Sequence, residues 1–128
     1  MHFTGTVWRP PYEAYSTIIQ VTAGCTHHNC KFCSLYADLP FKFRMSPMSE
    51  IEKDLQELKT YNPCSKRVFM TGANPFALDY EKLNEIASMI KSYLPKVQTI
   101  GCFSRVTDIK KITFIRLRRY YHRNRNRA

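Results

Sequence analysis

A chain of 128 residues with 44% hydrophobic content has the length and composition of one globular domain with a modest core. Its apolar runs span only a few residues, so the sequence excludes a membrane-spanning helix, and the lack of a signal-peptide pattern favours the cytoplasm. The net charge of +10 is typical of nucleic-acid-binding proteins, but residues 1–108 carry only +2 and residues 109–128 carry +8. The basicity is therefore predicted to belong to a tail and not to a folded surface.

The chain is predicted to begin with an extended segment over residues 1–16, because the Pro10-Pro11 pair disfavours a helix there. The β-branched run at residues 17–22 is short and is followed by an Ala-Gly pair, which predicts a buried strand. Residues 35–48 contain two prolines and no clear hydrophobic period, so we expect a plain connection there.

The first helix is indicated by its start signal. Ser49 and Glu52 form the capping-box pattern S-x-x-E, which predicts a helix over residues 50–60 with Ser49 as its N-cap. A second strand is predicted at residues 67–70, and its end leads into a turn that contains a glycine.

The alternation continues with a second helix, which Asp79 is expected to cap and Pro95 to end, and with a third strand at residues 97–103. A strand–helix–strand–helix–strand order predicts an α/β fold with parallel strands. In such folds ligands collect at the carboxyl ends of the strands. The cysteine-rich loop after the first strand and the Gly72 turn after the second are therefore expected to face one site.

Three cysteines, Cys25, Cys30 and Cys33, follow the first strand with the spacing C-x4-C-x2-C. In the cytoplasm they are expected to be reduced thiols, which are soft ligands for iron–sulfur clusters or zinc. Known cubane frameworks normally use four cysteines, so three would leave one iron open to a substrate or cofactor. A dithiol redox site would use Cys30 and Cys33 and leave Cys25 unexplained. A zinc site would need a fourth ligand, for which the candidates are His27, His28, Cys64 and Cys102.

The cysteine loop resembles the cluster loop of the radical SAM superfamily, in a variant with one extra residue between the first two cysteines. This variant is seen in a bacterial branch of the family. The flanking runs at residues 8–11, 21–24 and 44–49 are similar to the corresponding runs of that branch, and the resemblance spans roughly residues 7–109. It implies a partial (β/α) barrel, of which this chain would supply about three parallel βα units.

The resemblance implies that Cys25, Cys30 and Cys33 ligate a [4Fe–4S] cluster and that the open iron binds S-adenosylmethionine. An electron donor would then reduce the sulfonium, giving methionine and a 5′-deoxyadenosyl radical that abstracts hydrogen from a substrate, which no residue of the sequence identifies. Phe32 stands at the aromatic position that lies against the adenine in the family. The alternative for Phe32 is simple packing under the loop.

The turn at Gly72, Ala73 and Asn74 corresponds to the family's Gly-Gly-Glu-like stretch, which contacts the methionyl amino group. Glycine permits the close backbone approach that such a contact needs. This chain has no Glu in the turn, so Asn74 is the candidate side chain, and an ordinary turn is the alternative. Arg105 and Asp108 follow the third strand, where we expect a solvated loop, with a place at the mouth of the same site as the alternative.

Later strands of the family's barrel have no counterpart here. We therefore divide the chain into an extended lead-in (residues 1–16), a partial core (17–109) and a basic tail (110–128), which we expect to be frame-shifted or disordered. The abrupt charge change predicts a truncated fragment of a longer enzyme, which leaves catalytic activity of this chain open. The alternative function is a small zinc- or cluster-binding protein whose arginine-rich tail binds RNA.

Overall fold

A computed structural model describes residues 1–109 of the protein. Its regular elements, in chain order, are strands β1 (Thr17–Gln20), β2 (Thr22–Gly24) and β3 (Phe43–Met45), helix α1 (Met48–Tyr61), strand β4 (Arg67–Thr71), helix α2 (Tyr80–Tyr93) and strand β5 (Thr99–Cys102). Short 3₁₀ turns stand at Pro11–Glu13 and Pro75–Ala77. The tail predicted at residues 110–128, and with it the RNA-binding alternative, lies outside the described residues.

The central sheet is parallel and has the strand order β1-β4-β5. Ile18 of β1 lies opposite Phe69 of β4, which in turn lies opposite Gly101 of β5. Because α1 and α2 connect these strands, the three carboxyl ends meet at one edge of the sheet. The predicted α/β class with parallel strands and alternating helices is confirmed.

The hydrophobic core lies between the sheet and the two helices. Ile19, Val68 and Met70 project from the sheet, and all three are at most 6% exposed. The side chains that meet them from the helices and the following loop are Ile51, Leu55, Ile86, Ile90, Leu94 and Val97. Burial of each such side chain contributes about 1.5–3 kcal/mol, which makes this layer the rigid support for the loops at the sheet edge.

A small hairpin, β2–β3, was not predicted from the sequence. The strand expected over residues 17–22 is interrupted at Val21, whose carbonyl accepts a hydrogen bond from Ser46 N at 2.8 Å. Beyond that point the chain leaves β4 and pairs antiparallel with β3, so that Gly24 lies opposite Phe43. The predicted strand is therefore confirmed only as far as Gln20, and the prediction of a plain connection over residues 35–48 was wrong, because that segment contains β3.

The start of α1 also differs from the prediction. Pro47 occupies the N-cap position with no side-chain cap bond, and the amides of Glu50 and Ile51 bond to its carbonyl. Ser49 therefore lies inside the helix, and the capping box is not formed. Glu52, its expected partner, instead accepts a hydrogen bond from Tyr93 Oη of α2 at 2.8 Å. The second helix agrees with expectation in its bounds, since it ends at Tyr93, before Pro95; Asp79 occupies its N-cap position, but the expected cap by its side chain is not formed.

The lead-in segment is fastened to the domain by its first residues. His2 Nδ1 lies 2.5 Å from Asp54 Oδ2 of α1, and Thr4 N donates to Gln20 Oε1 at 2.6 Å. These contacts hold the start of the segment against α1 and the end of β1. None of the helices within residues 1–109 is long and apolar enough to cross a bilayer.

Candidate functional site

A cavity of about 360 Å³ opens at the carboxyl ends of the strands. Its volume lies within the range of small-molecule sites, about 300–1,000 Å³. The residues that line it follow β2, β4 and β5 or belong to the lead-in; they are Trp8, Arg9, Cys25, His28, Cys30, Cys33, Leu35, Tyr36, Ala37, Ala73, Phe103 and Ser104. The expectation that the cysteine loop and the turn after β4 face one site agrees with this arrangement.

The three cysteines of the loop all line this cavity and are free thiols. Cys25 is partly buried, and its amide donates to Lys42 O at 2.8 Å, which closes the base of the loop just beyond the β2–β3 hairpin. Cys30 and Cys33 are exposed, and Cys33 N donates to Cys30 O at 3.1 Å in a tight turn. The loop therefore presents its thiols to the cavity from a fixed base and an exposed tip.

Glycine is required at the base of this loop. Gly24 has φ +82°, and a Cβ at this position would collide with the Lys42 carbonyl, whose carbon would lie 2.9 Å away. A side chain at Gly24 would thus separate the two strands of the hairpin. The loop base depends on backbone approach that only glycine allows.

Within residues 1–109, no three or more His, Cys, Asp and Glu side chains are grouped so that they could hold a metal ion. In this part of the chain the three loop thiols are therefore not already gathered as ligands of a single metal ion, and the zinc alternative stays a prediction. In a cubane, by contrast, each cysteine thiolate ligates a cluster iron, so the thiolates surround the cluster. Three free, soft thiols around one cavity fit such a cluster in number and in chemistry.

Aromatic side chains form much of the remaining cavity wall. The pKa of Tyr36 is raised, first by burial and then by the negative charges of the nearby Cys25 and Cys33 thiolates. Phe103 is held by an edge-to-face contact with Phe69, with ring centroids 5.3 Å apart. The sequence reasoning did not single out Tyr36 or Phe103 as site residues. Phe103 could have been found, because it directly follows β5 at the ligand-binding edge.

The turn after β4 makes close contact with β2. Gly72 has φ +123°, and a Cβ there would collide with the Thr22 hydroxyl and lie 2.8 Å from the Thr22 carbonyl oxygen. Of the three turn residues that were predicted to bind the cofactor, Ala73 lines the cavity. Because Gly72 has no side chain, the turn can lie directly against Thr22, and this contact positions the neighbouring Ala73.

Asn74, the third residue of that turn, is fully buried. Its Nδ2 donates to Thr26 Oγ1 at 2.6 Å and to Asp108 Oδ2 at 3.0 Å. Arg105 Nη1 also donates to Thr26 Oγ1, at 3.3 Å. The expectation that Arg105 and Asp108 stand in a solvated loop was wrong, since Asp108 is only 6% exposed and both side chains reach the cysteine loop or the turn. A direct contact of the Asn74 side chain with a ligand stays a prediction.

Phe32 is 93% exposed, and it is not among the residues that line the cavity. Packing under the loop, the alternative for this side chain, was therefore wrong. Its contact with an adenine ring stays a prediction. The neighbouring His27 and His28 are exposed, and His28 takes a left-handed backbone conformation with φ +51°.

The other two cysteines stand apart from the cavity. Cys64 is exposed, and Cys102 packs against the hydrophobic core at the end of β5. Burial raises the pKa of the Cys102 thiol to about 11, so this thiol stays protonated at neutral pH. These two residues have the character of a surface thiol and a core thiol.

In a comparison with protein families, the model of the radical SAM superfamily matches residues 19–122. The matched region includes the three cysteines, the turn after β4 and the segment after β5, and it continues into the basic tail. No curated protein and no solved structure matches the chain.

Proposed function

Because the chain belongs to the radical SAM superfamily, we propose that Cys25, Cys30 and Cys33 ligate a [4Fe–4S] cluster and that S-adenosylmethionine binds beside it. Iron–sulfur binding and radical chemistry with S-adenosylmethionine are the general class of this family. The observation that carries the assignment to these residues is their convergence, since the three free thiols and Ala73 line a single cavity.

The proposed roles of the individual residues follow from the positions of their side chains. When bound at Cys25, Cys30 and Cys33, the cluster would pass one electron from an external donor to the sulfonium of S-adenosylmethionine, which is the chemistry that the family uses to generate a radical. Trp8, Tyr36 and Phe103 line the cavity with aromatic surface, against which the ligand would pack. By the family's motif, the backbone at Gly72 and Ala73 would hold the methionyl part of the ligand, and Ala73 lines the cavity. Phe32 would reach an adenine ring only after its exposed side chain turned towards the cavity.

An external electron donor is part of this proposal. Cys30 and Cys33 are exposed, so a cluster at their thiols would lie near the surface, within reach of a docked donor protein. The five free cysteines support a reducing compartment such as the cytoplasm. The substrate stays open, because none of the described residues identifies its chemical class.

We further propose that the chain is the N-terminal part of a longer enzyme. The charge change near residue 109 and the three-stranded parallel sheet, in which β1 and β5 are the outer strands of the described part, support this view. Sequencing of the locus tests it. A downstream reading frame that encodes further βα units supports the proposal, and a frame without any such unit contradicts it.

Anaerobic reconstitution with iron and sulfide tests the cluster assignment. We expect the wild-type chain to bind about four irons and to gain a broad visible absorption band that S-adenosylmethionine perturbs. Cys25→Ala, Cys30→Ala and Cys33→Ala should each lose the band. Cys64→Ala is the matched control, because it removes an exposed thiol outside the cavity, and it should retain the band.

Two results would contradict the proposal. One is full iron retention in Cys30→Ala, which would refute the ligand assignment. The other is one zinc per chain with no visible absorption, which would support the alternative of a small zinc protein.

A further inference from the structure

Behind the cavity wall, a partly buried polar cluster joins three loops that follow β2, β4 and β5. Its members are Thr26 of the cysteine loop, Asn74 of the turn after β4, and Arg105 and Asp108 of the segment after β5. Asn74 is 0% exposed and Asp108 is 6% exposed. The cluster is distinct from the cavity lining, because none of its four members lines the cavity.

The hydrogen-bonding capacity of Asn74 is largely used within the cluster. Its Nδ2 donates at 2.6 Å to Thr26 Oγ1 and at 3.0 Å to Asp108 Oδ2, which occupies both amide hydrogens. Its Oδ1 accepts from Thr26 N at 3.4 Å. A buried amide with both hydrogens donated gains little by turning towards a ligand, since each broken bond would leave a buried polar atom without a partner.

The position of Thr26 gives the cluster its significance. Thr26 directly follows Cys25, and its backbone amide and its hydroxyl are both bonded to Asn74. Arg105 Nη1 adds a further bond to the same hydroxyl. The segment that carries Arg105 and Asp108 is itself ordered, because Asp108 N and Ile109 N both donate to Arg105 O in a helical turn. Hydrogen bonds from the two other loops therefore fix Thr26, the residue beside Cys25.

We propose that Asn74 and Asp108 are positioning residues that clamp the cysteine loop, and with it the Cys25 thiol, against the cavity wall. This inference rests on the proposed function in one respect, namely that the clamped loop holds a cluster. The clamp acts through Thr26 and does not require Asn74 or Asp108 to touch a cofactor. It gives Asn74 a role that the motif alone did not indicate.

A charge swap provides the sharpest test. Asn74→Asp places a second carboxylate against Asp108 in a buried site, which removes a donor and adds repulsion. The double variant Asn74→Asp with Asp108→Asn restores one amide–carboxylate hydrogen bond in the opposite direction. Asp79→Asn is the matched control, since Asp79 is exposed and makes no side-chain cap bond at α2.

The first readout is amide hydrogen exchange of the iron-free, full-length chain, compared between residues 25–33 and α2. We expect Asn74→Asp to speed exchange in residues 25–33 by about tenfold, which corresponds to the loss of one hydrogen bond to a charged group. Exchange in α2 should not change. The double variant should return to within about threefold of the wild type.

The second readout is the rate at which a chelator removes iron from the reconstituted chain. We expect a faster loss, by about tenfold, in Asn74→Asp, recovery in the double variant and no change in Asp79→Asn. If the wild-type chain assembles no cluster, the proposed function fails at this step, while the exchange experiment still tests the clamp.

Three outcomes would overturn the inference: unchanged exchange in residues 25–33 of Asn74→Asp, equal acceleration in α2, which marks general destabilisation, or a double variant no better than the single one. If Asn74→Asp does not fold, the double variant decides. A folded double variant with wild-type exchange supports the clamp, and an unfolded one contradicts it.

Discussion

The helix-covered sheet and the cysteine loop are built by different means. The sheet and its helices are held by a continuous apolar layer in which residues such as Ile19, Leu55 and Ile90 are 0% exposed. The loop between Cys25 and Lys42 has exposed thiols at Cys30 and Cys33 and is held at its base by the backbone bond from Cys25 N to Lys42 O and by the cluster around Asn74. The comparison indicates that stability resides in the scaffold, while the loop is positioned by a few polar bonds.

The largest expected effect is the difference in the free energy of unfolding between a Phe→Ala substitution in the sheet and one in the loop. Phe69 is 2% exposed in the sheet, and Phe32 is 93% exposed in the loop. We expect Phe69→Ala to lower the free energy of unfolding by about 3–5 kcal/mol, because it leaves a cavity beside Phe103. Phe32→Ala should change it by no more than about 0.5 kcal/mol. Urea denaturation of the iron-free chain measures both, and equal losses would contradict the distinction between the two regions.

The next effect concerns the junction between the two regions. We expect Gly24→Ala to destabilise the chain by about 1–3 kcal/mol and to weaken iron retention, because its Cβ would push against the Lys42 carbonyl at the loop base. Gly5→Ala is the control: Gly5 also has a positive φ, +73°, but the nearest atom is the Leu39 Cδ2 methyl at 3.3 Å. Thermal unfolding compares the two variants. Equal effects would mean that the backbone angle matters and the contact with Lys42 does not.

A smaller effect is expected from acid, and it should act on the scaffold. The pKa of Glu13 is lowered, first by the hydrogen bond that Ser16 Oγ donates to it, against the opposing effect of burial, and then by Arg67. A lowered pKa in the folded state contributes stability that is present above the usual value of 4.5 and is lost as the pH falls through the folded value.

The prediction from Glu13 follows directly. Glu13→Gln should be less stable than the wild type at pH 7, and the difference should shrink as the pH falls below about 4.5. Denaturation curves between pH 3 and pH 7 measure this, with the exposed Glu85→Gln as control. A difference that stays constant over that range would show that the carboxylate charge is not the cause.

The last prediction concerns thiol reactivity and not stability. Burial raises the pKa of Cys102 to about 11, which reduces its thiolate fraction at pH 8 by roughly 100-fold relative to a thiol of usual pKa. In the iron-free chain, iodoacetamide should therefore modify Cys30 and Cys33 much faster than Cys102. Peptide mapping by mass spectrometry follows each site. Comparable rates at all three would contradict the assignment of Cys102 to the core.

The sequence predicted the parts of the fold that depend on local periodicity and spacing. The apolar pattern of α2 and the cysteine spacing can be read without knowledge of distant residues. The first gave a correct helix, and the second predicted a ligand loop whose three thiols line the cavity. Strand β3 was missed because three residues carry no period, and it exists only through pairing with Thr22–Gly24. Trp8 lines the cavity and Asp108 bonds to Asn74 only because the chain folds back over a long distance, so no local pattern gave these contacts.

The central claim is that the cysteine loop holds a cluster with an iron open to S-adenosylmethionine, and electron paramagnetic resonance of the reduced, reconstituted chain tests it most directly. We expect one cluster signal per wild-type chain, a clear change of that signal on addition of S-adenosylmethionine, and loss of the signal in Cys30→Ala but not in Cys64→Ala. A full-intensity signal that S-adenosylmethionine does not alter, or one that survives in Cys30→Ala, would contradict the account.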